Sequence, residues 1–360
     1  MSADAHTIAV PIASATSRKN WIESPFFDNI FFTLSPLATF PLIALTLFAD
    51  QRFAIFFFFL AFPHYMSTLS FFFWDEYKPR HRARWLAFFG GPVLIAVTFG
   101  VLVFLQLPKI ISVTLFLWNT FHVSRQSCGI LSIYRHRAGV SDAKHRDITN
   151  FAIISTCLWL SFWNIQTHDA FDPLYRLSAD YPSYVRLGLG AIAAVGLTRL
   201  AMSLWARVRD GNAPRLPETM FLITSIVLFT PFLFVQSSIQ ATSFMLLPHY
   251  LQYLGIVWLI NRRRFRAPEG SSGQRALQKV SANSVLLLSV LIGIGVATIA
   301  SKIFLEKFSH PLMFESLYLL LALEHFYLDG LIWAFRDPTV RKSLGPYLNT
   351  YDPQASQSAA

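Results

Sequence analysis

The sequence predicts an all-α polytopic membrane protein, a transmembrane helical bundle of about ten spans with both chain termini in the cytoplasm. Of its 360 residues, 54% are hydrophobic and 14% are charged, whereas a soluble domain usually has about 25% charged residues. The apolar residues form runs of about 20, which is the length that crosses a bilayer as a helix. Phe supplies 35 residues, which suits surfaces that face lipid.

Ten apolar runs predict the spanning helices in chain order. They lie at residues 29–49, 53–74, 86–106, 110–134, 149–165, 185–206, 218–236, 238–261, 283–303 and 312–335. The short fifth run and the nearly fused seventh and eighth runs allow a count of nine to eleven. The chain then divides into an N-terminal cytoplasmic segment (1–28), one transmembrane domain (29–335) and a C-terminal cytoplasmic tail (336–360).

The distribution of Lys and Arg predicts the orientation. These residues concentrate in the loops after even-numbered runs and are sparse in the loops after odd-numbered runs. By the positive-inside rule, the basic loops and both termini are cytoplasmic, and the expected location is the bacterial inner membrane. The net charge of +10 therefore serves topology and contact with the lipid bilayer, and we expect no nucleic-acid partner. One basic loop, 266–282, contains Gly and Ser and predicts a mobile connection.

Four of the ten histidines fall deep within predicted spans, namely His64, His122, His249 and His325. Each lies 10 to 12 residues before the cytoplasmic end of an even-numbered span. At 1.5 Å per residue this is about 15–18 Å from the border, near the bilayer midplane. The four helices run in the same direction, so the imidazoles share one depth. We therefore predict that they form a shared metal or haem site.

Each of these histidines has a polar residue one helical turn further on, where side chains share a helix face. These residues are Ser67 and Thr68, Gln126, Gln252, and Asp329. An intramembrane acid usually marks a functional site, and we expect Asp329 to accept the hydrogen bond that orients a ligating imidazole. Gln126 and Arg125 complete the predicted catalytic set. The charge of Arg125 needs a partner, for which Asp329, Glu315, Glu324 or an acidic group of the substrate are candidates.

Two of the histidines occur in matching tripeptides. Pro63-His64-Tyr65 and Pro248-His249-Tyr250 lie in the second and eighth spans. The match is consistent with a duplication that pairs spans 1–4 with spans 7–10, and coincidence in an apolar background stays the alternative.

The ligand type limits the choice of metal. Histidine nitrogens without thiolate suit iron, copper or zinc. Non-haem iron (Fe²⁺) would keep open positions for dioxygen, whereas zinc would suit a hydrolysis for which the sequence offers no candidate group. We expect an iron oxygenase acting on a hydrophobic small molecule that enters from lipid. In this hypothesis Phe56 to Phe59 and Phe71 to Phe73 line its path, and simple contact with lipid is the alternative role for these residues. Two alternatives stay open: a haem b protein that exchanges electrons with quinone, and a proton-coupled transporter that uses the same histidines and Asp329.

Four short windows carry a resemblance to a known family. They are Pro63-His64, His122 with Gln126 and Gly129, Pro248-His249, and His325 with Asp329 and Gly330. At these residues the chain resembles the Brp/Blh-type bacterial carotenoid 15,15′-dioxygenases, which are polytopic membrane proteins with histidine-bound non-haem iron. The resemblance implies an oxygenase whose long apolar substrate is carotenoid-like. The chain departs from it in having no H-x-x-x-H pair within a span.

Overall fold

All regular secondary structure is helical in the residues that the computed structural model describes, which are 20–39, 50–73, 78–140, 142–172, 178, 180–265, 272–308 and 311–348. We number those α-helices that have eleven or more residues. They are α1 (Asp50–Thr68), α2 (Gly91–Phe104), α3 (Pro108–Arg137), α4 (Ala143–Ser161), α5 (Tyr181–Arg209), α6 (Leu216–Val227), α7 (Ser238–Arg264), α8 (Ser272–Ala282), α9 (Ser284–Lys307), α10 (Pro311–Ile332) and α11 (Pro338–Leu348).

Within the described part of the chain, five helical segments are long and apolar enough to cross a membrane. They are Leu86–Phe104, Tyr181–Arg209, Leu216–Phe234, Ser238–Arg264 and Ser284–Leu305. The chain is therefore a helical membrane protein, as the composition predicts. Three of the histidine-bearing helices, α1, α3 and α10, are not among the five, and α3 and α10 carry polar and charged residues between their apolar positions. The count of ten spans stays a prediction.

The apolar helices differ in where they lie in the bundle. In the segments that contain α2 and α9, only 11% of the apolar stretch is buried, whereas 83% of that of α7 is buried. Apolar surface that stays exposed over a whole helix is expected to face lipid. Helices α2 and α9 therefore form part of the lipid-facing surface, and α7 is the central helix, in contact with α1, α8 and α11.

The first predicted span departs from a regular α-helix in its described half. Residues Asn29–Thr33 form a π-helix, in which Leu34 N bonds Asn29 O at 2.8 Å, and Ser35–Thr39 form a 3₁₀-helix. Pro36 lacks an N–H group and disfavours the α conformation of the residue before it. The segment packs closely on α7, since a Cβ at Gly255 would lie 2.7 Å from the Cβ of Phe31. Residues 40–49 lie outside the described residues.

The prediction of a mobile loop at residues 266–282 is wrong for residues 272–282, which form helix α8. This helix packs against α7 and α9, and Trp258 donates its indole N–H to Ser281 O at 3.0 Å. Residues 338–348 of the predicted tail form α11, in which Val340, Leu344 and Leu348 are fully buried. Apolar residues at helical spacing, which a Gly- and Ser-based criterion ignores, explain both helices. Residues 266–271 and 349–360 lie outside the described part.

A buried ion cluster joins four helices. The carboxylate of Glu218 on α6 contacts Arg135 on α3 at 3.1 Å and Arg207 on α5, whose Nη2 lies at 3.0 Å. Arg135 also donates to Thr149 of α4 at 2.8 Å, and His145 of α4 lies 3.1 Å from Arg207 Nη1. Glu218 and Arg135 are almost completely buried. A buried carboxylate with two arginine partners fixes the relative positions of these helices, because removing it leaves buried charge uncompensated.

Candidate metal centre

The structure brings the four predicted histidines together. They come from α1, α3, α7 and α10, and each is buried. One potential ligand nitrogen from each lies within 4.8 Å of the other three. The ring centroids of neighbouring histidines are 4.4 to 5.3 Å apart. The prediction of a four-histidine cluster is therefore confirmed.

Parallel packing of the helices explains the common depth. The hydroxyl of Tyr65 on α1 faces that of Tyr250 on α7 at 3.4 Å, and one turn on, Thr68 faces Tyr253 at 2.8 Å. Contacts that advance together along two helices require the helices to run in the same direction. The same order holds between α3 and α10, where Trp118 packs on Phe326 and His122 faces Asp329. The predicted common direction of these helices agrees with these contacts.

Each histidine has at least one ring nitrogen that is unpaired in the described part of the chain, namely Nε2 in His122 and His325 and both ring nitrogens in His64 and His249. The Nε2 atoms of His64, His122, His249 and His325 are buried, and none has a hydrogen-bond partner among the described residues. Buried polar atoms almost always have a partner, and one without it costs about 1–3 kcal/mol. One ring nitrogen from each histidine, all within 4.8 Å of one another, gives a donor set that fits a metal ion, which takes imidazole nitrogens as ligands.

The ring of His325 is held from its other nitrogen. Its Nδ1 lies 2.9 Å from Thr68 Oγ1, and Thr68 Oγ1 lies 2.8 Å from the hydroxyl of Tyr253. Tyr253 donates to Asp329 Oδ1 at 2.6 Å. When Nε2 is the ligand atom, Nδ1 carries the proton and donates it to Thr68, which in turn donates to Tyr253. The chain of hydrogen bonds then ends on the carboxylate, so Asp329 orients this imidazole through two hydroxyl groups.

The second carboxylate oxygen of Asp329 faces the cluster itself. Asp329 Oδ2 lies 3.6 Å from Nε2 of His325 and 3.9 Å from Nε2 of His122. Asp329 is 5% exposed, so the acid belongs to the buried centre. The sequence placed this residue near the imidazoles but did not predict which side of the rings it faces.

The other predicted polar companions lie elsewhere. Ser67 bonds the backbone of its own helix, and Gln252 bonds the N-terminal helical segment. Gln126 donates to the backbone carbonyl of His249 at 3.4 Å, which ties α3 to α7. Arg125 is exposed and has no ion pair or hydrogen bond within the described ranges. Of the three predicted catalytic residues, only Asp329 therefore has its carboxylate beside the imidazoles of the cluster.

Sequence reasoning missed the tyrosines that surround His64. The rings of Tyr65, Tyr250 and Tyr253 lie 4.5 to 5.4 Å from its ring. The hydroxyls of Tyr65, Tyr250 and Tyr318 lie 3.1 to 3.5 Å from one another. The repeated Pro-His-Tyr tripeptide contained this signal, because each histidine brings its tyrosine to the same place.

The phenylalanines predicted to line the substrate's path pack against several parts of the bundle where the structure describes their side chains. Phe71 packs edge-on against Trp333 at 5.4 Å, and Phe72 stacks on His81 at 4.8 Å. Phe59 packs beside Gly295 of α9. The side chains of Phe56 to Phe58 and of Phe73 lie outside the described set. The aromatic walls of the site are tyrosines, together with Phe326, which lies 4.6 Å from the ring of His122.

Comparison of the chain with known protein families, with curated proteins and with solved structures finds no match. The functional interpretation therefore rests on the chain's own residues. Among these, the four-histidine centre is the feature whose chemistry is most specific.

Proposed function

We propose that the protein is an intramembrane metalloenzyme, a non-haem iron oxygenase that acts on a long apolar substrate. The observation that carries this proposal is the set of four buried imidazoles, each with a ring nitrogen that has no hydrogen-bond partner in the described residues, whose potential ligand nitrogens lie within 4.8 Å of one another. Histidines that serve only to join helices would use these atoms for hydrogen bonds. A centre built to bind a metal ion leaves them free.

We choose iron because an oxygenase needs a metal that binds dioxygen. The cluster consists of imidazoles with one carboxylate nearby and no thiolate, a donor set that suits iron and also copper or zinc. Bound iron would supply open coordination positions for dioxygen. Copper and zinc stay the alternatives that metal analysis would distinguish.

The close spacing of the four histidine rings does not suit a haem. A bis-histidine haem b needs its two axial histidines on opposite sides of a wide, flat macrocycle. Here each histidine ring has two others within 5.3 Å, and tyrosine rings fill the surroundings of His64. Four imidazoles this close suit a single small ion.

The surroundings favour an apolar substrate. The apolar faces of α2 and α9 are exposed, so lipid-soluble molecules can reach the bundle from the side. The resemblance to the Brp/Blh-type dioxygenases makes a carotenoid the first substrate to test. Arg125, exposed one turn after His122 on α3, is our candidate contact for an acidic group of the substrate. We further propose ten spans with both termini in the cytoplasm of a bacterial inner membrane, on the basis of loop charge.

Metal content of the detergent-purified protein tests this function. We expect about one iron per chain from the single four-histidine centre, loss of most of it in a His122→Ala variant, and wild-type content in a His136→Ala control. His136 lies on the same helix but is exposed and far from the cluster along α3. Wild-type protein without metal, or a sharp Soret band in the visible spectrum, would refute the proposal. Proton-coupled uptake into liposomes by metal-free protein would support the transporter instead.

A further inference from the structure

The carboxylate of Asp329 has two oxygens with different surroundings. Oδ1 accepts a hydrogen bond from Tyr253 at 2.6 Å, and Thr68 Oγ1 lies 3.4 Å away. Oδ2 points to the Nε2 atoms of His325 and His122. Because Oδ1 already completes the hydrogen-bond chain behind His325, Oδ2 is available for a separate task at the centre of the cluster.

The distances from Oδ2 fit a shared ligand better than a direct hydrogen bond. They are 3.6 Å to His325 and 3.9 Å to His122, which exceeds the range of about 2.7–3.2 Å for a hydrogen bond between nitrogen and oxygen. Two atoms that bind one metal ion at about 2.1 Å each lie at most about 4.2 Å apart. Both distances fall within that limit, so Oδ2 can share one ion with either nitrogen. The four histidine nitrogens lie within 4.8 Å of one another and must move slightly closer together to bind the same ion.

Charge balance gives an independent reason. Four neutral imidazoles leave the full charge of a divalent ion in a buried, membrane-embedded site, where an uncompensated charge is costly. The carboxylate of Asp329, buried beside the cluster, would halve that charge. Glu324 precedes His325 in the chain, but its side chain is half-buried and has no ion pair with a histidine among the described residues.

We propose that Asp329 supplies a carboxylate oxygen as the fifth ligand of the metal ion held by the four histidines. This inference rests on the proposed function and deepens it. An octahedral ion with five protein ligands keeps one open position. Dioxygen would take that position, and the apolar substrate would lie beside the metal without binding to it.

Cobalt binding tests the inference without an activity assay. The full-length protein is purified, stripped with a chelator and titrated with Co²⁺ alone, and the visible absorption is recorded. Five- or six-coordinate cobalt absorbs weakly, whereas tetrahedral cobalt absorbs several-fold more strongly. We expect weak bands from the wild type and strong, tetrahedral bands from Asp329→Ala. The Co²⁺ affinity of this variant should fall by at least about 10–100-fold, which is the loss typical when a metal ligand loses only its hydrogen-bond partner.

Two further variants serve as controls, one for misfolding and one for the neighbouring acid. Asp329→Asn keeps an oxygen that can accept from Tyr253 and preserves the fold if Asp329→Ala does not. We expect it to weaken Co²⁺ binding and alter the spectrum in the same direction. Glu324→Gln removes the neighbouring acid and is expected to match the wild type. Wild-type protein that binds no metal would overturn both the proposed function and the inference. Normal binding by the wild type with an unchanged spectrum in both Asp329 variants would overturn the inference alone, whether or not the affinity falls, because the orienting role of Oδ1 accounts for a loss of affinity by itself.

Discussion

Replacement of Thr68 by valine isolates the hydrogen bonds behind the metal centre. Valine keeps the shape of threonine but loses Oγ1, which lies 2.9 Å from His325 Nδ1, 2.8 Å from the Tyr253 hydroxyl and 3.4 Å from Asp329 Oδ1. At about 1 kcal/mol for each hydrogen bond, the two shorter contacts contribute about 2 kcal/mol. That corresponds to a loss of about 30-fold in metal affinity, within the range of about 10–100-fold typical of outer partners of metal ligands.

The matched control is the adjacent hydroxyl. Ser67 lies one position earlier, and its Oγ bonds the backbone carbonyl of His64 at 2.7 Å without entering the network. Metal dissociation constants are measured by competition with a chelator of known affinity. We expect a loss for Thr68→Val and almost none for Ser67→Ala. Equal constants for wild type and Thr68→Val would refute the idea that this network orients the ligand.

Three further outcomes concern stability in detergent. Glu218→Gln leaves two buried arginines without a carboxylate and is expected to lower the free energy of unfolding by about 3–5 kcal/mol. A decrease below about 1 kcal/mol on denaturant titration would contradict this. Gly255→Ala places a methyl group against Phe31 and is expected to cost about 1–3 kcal/mol, whereas Gly129→Ala, in open space on α3, should be neutral or stabilising. Burial, followed by the neighbouring Arg80, lowers the pKa of His81 from 6.5 to about 4. The contribution of neutral His81 to the free energy of unfolding is therefore complete above pH 6.5 and is lost as the pH falls towards 4. The melting temperature should fall over this pH range, and less steeply in His81→Gln.

Helix positions follow closely from the apolar runs. The run 238–261 becomes Ser238–Arg264, and the run 283–303 becomes Ser284–Lys307. Hydrophobicity and length determine these elements, because a helix satisfies its own backbone in lipid. The conformation of the first run was harder to predict from hydrophobicity. Its described half forms π- and 3₁₀-helix because of Pro36, a local effect, and of tight packing against Gly255, a tertiary effect.

The four candidate metal ligands could be predicted from the sequence, but the hydrogen-bond network around them could not. Equal depth along parallel helices was enough to bring His64, His122, His249 and His325 together. Side-chain direction around each helix was not available from spacing alone. Thr68 therefore serves His325 on another helix, while Gln252, at similar spacing, bonds the N-terminal segment.

The most direct test of the account is X-ray absorption at the iron edge on protein purified without oxygen. The central claim is that the histidines of four helices hold one iron ion. It predicts a first shell of nitrogen and oxygen only, with the outer-shell scattering of about four imidazoles. A sulfur-containing shell, an iron–iron distance, or a fit with one imidazole or none would contradict the claim.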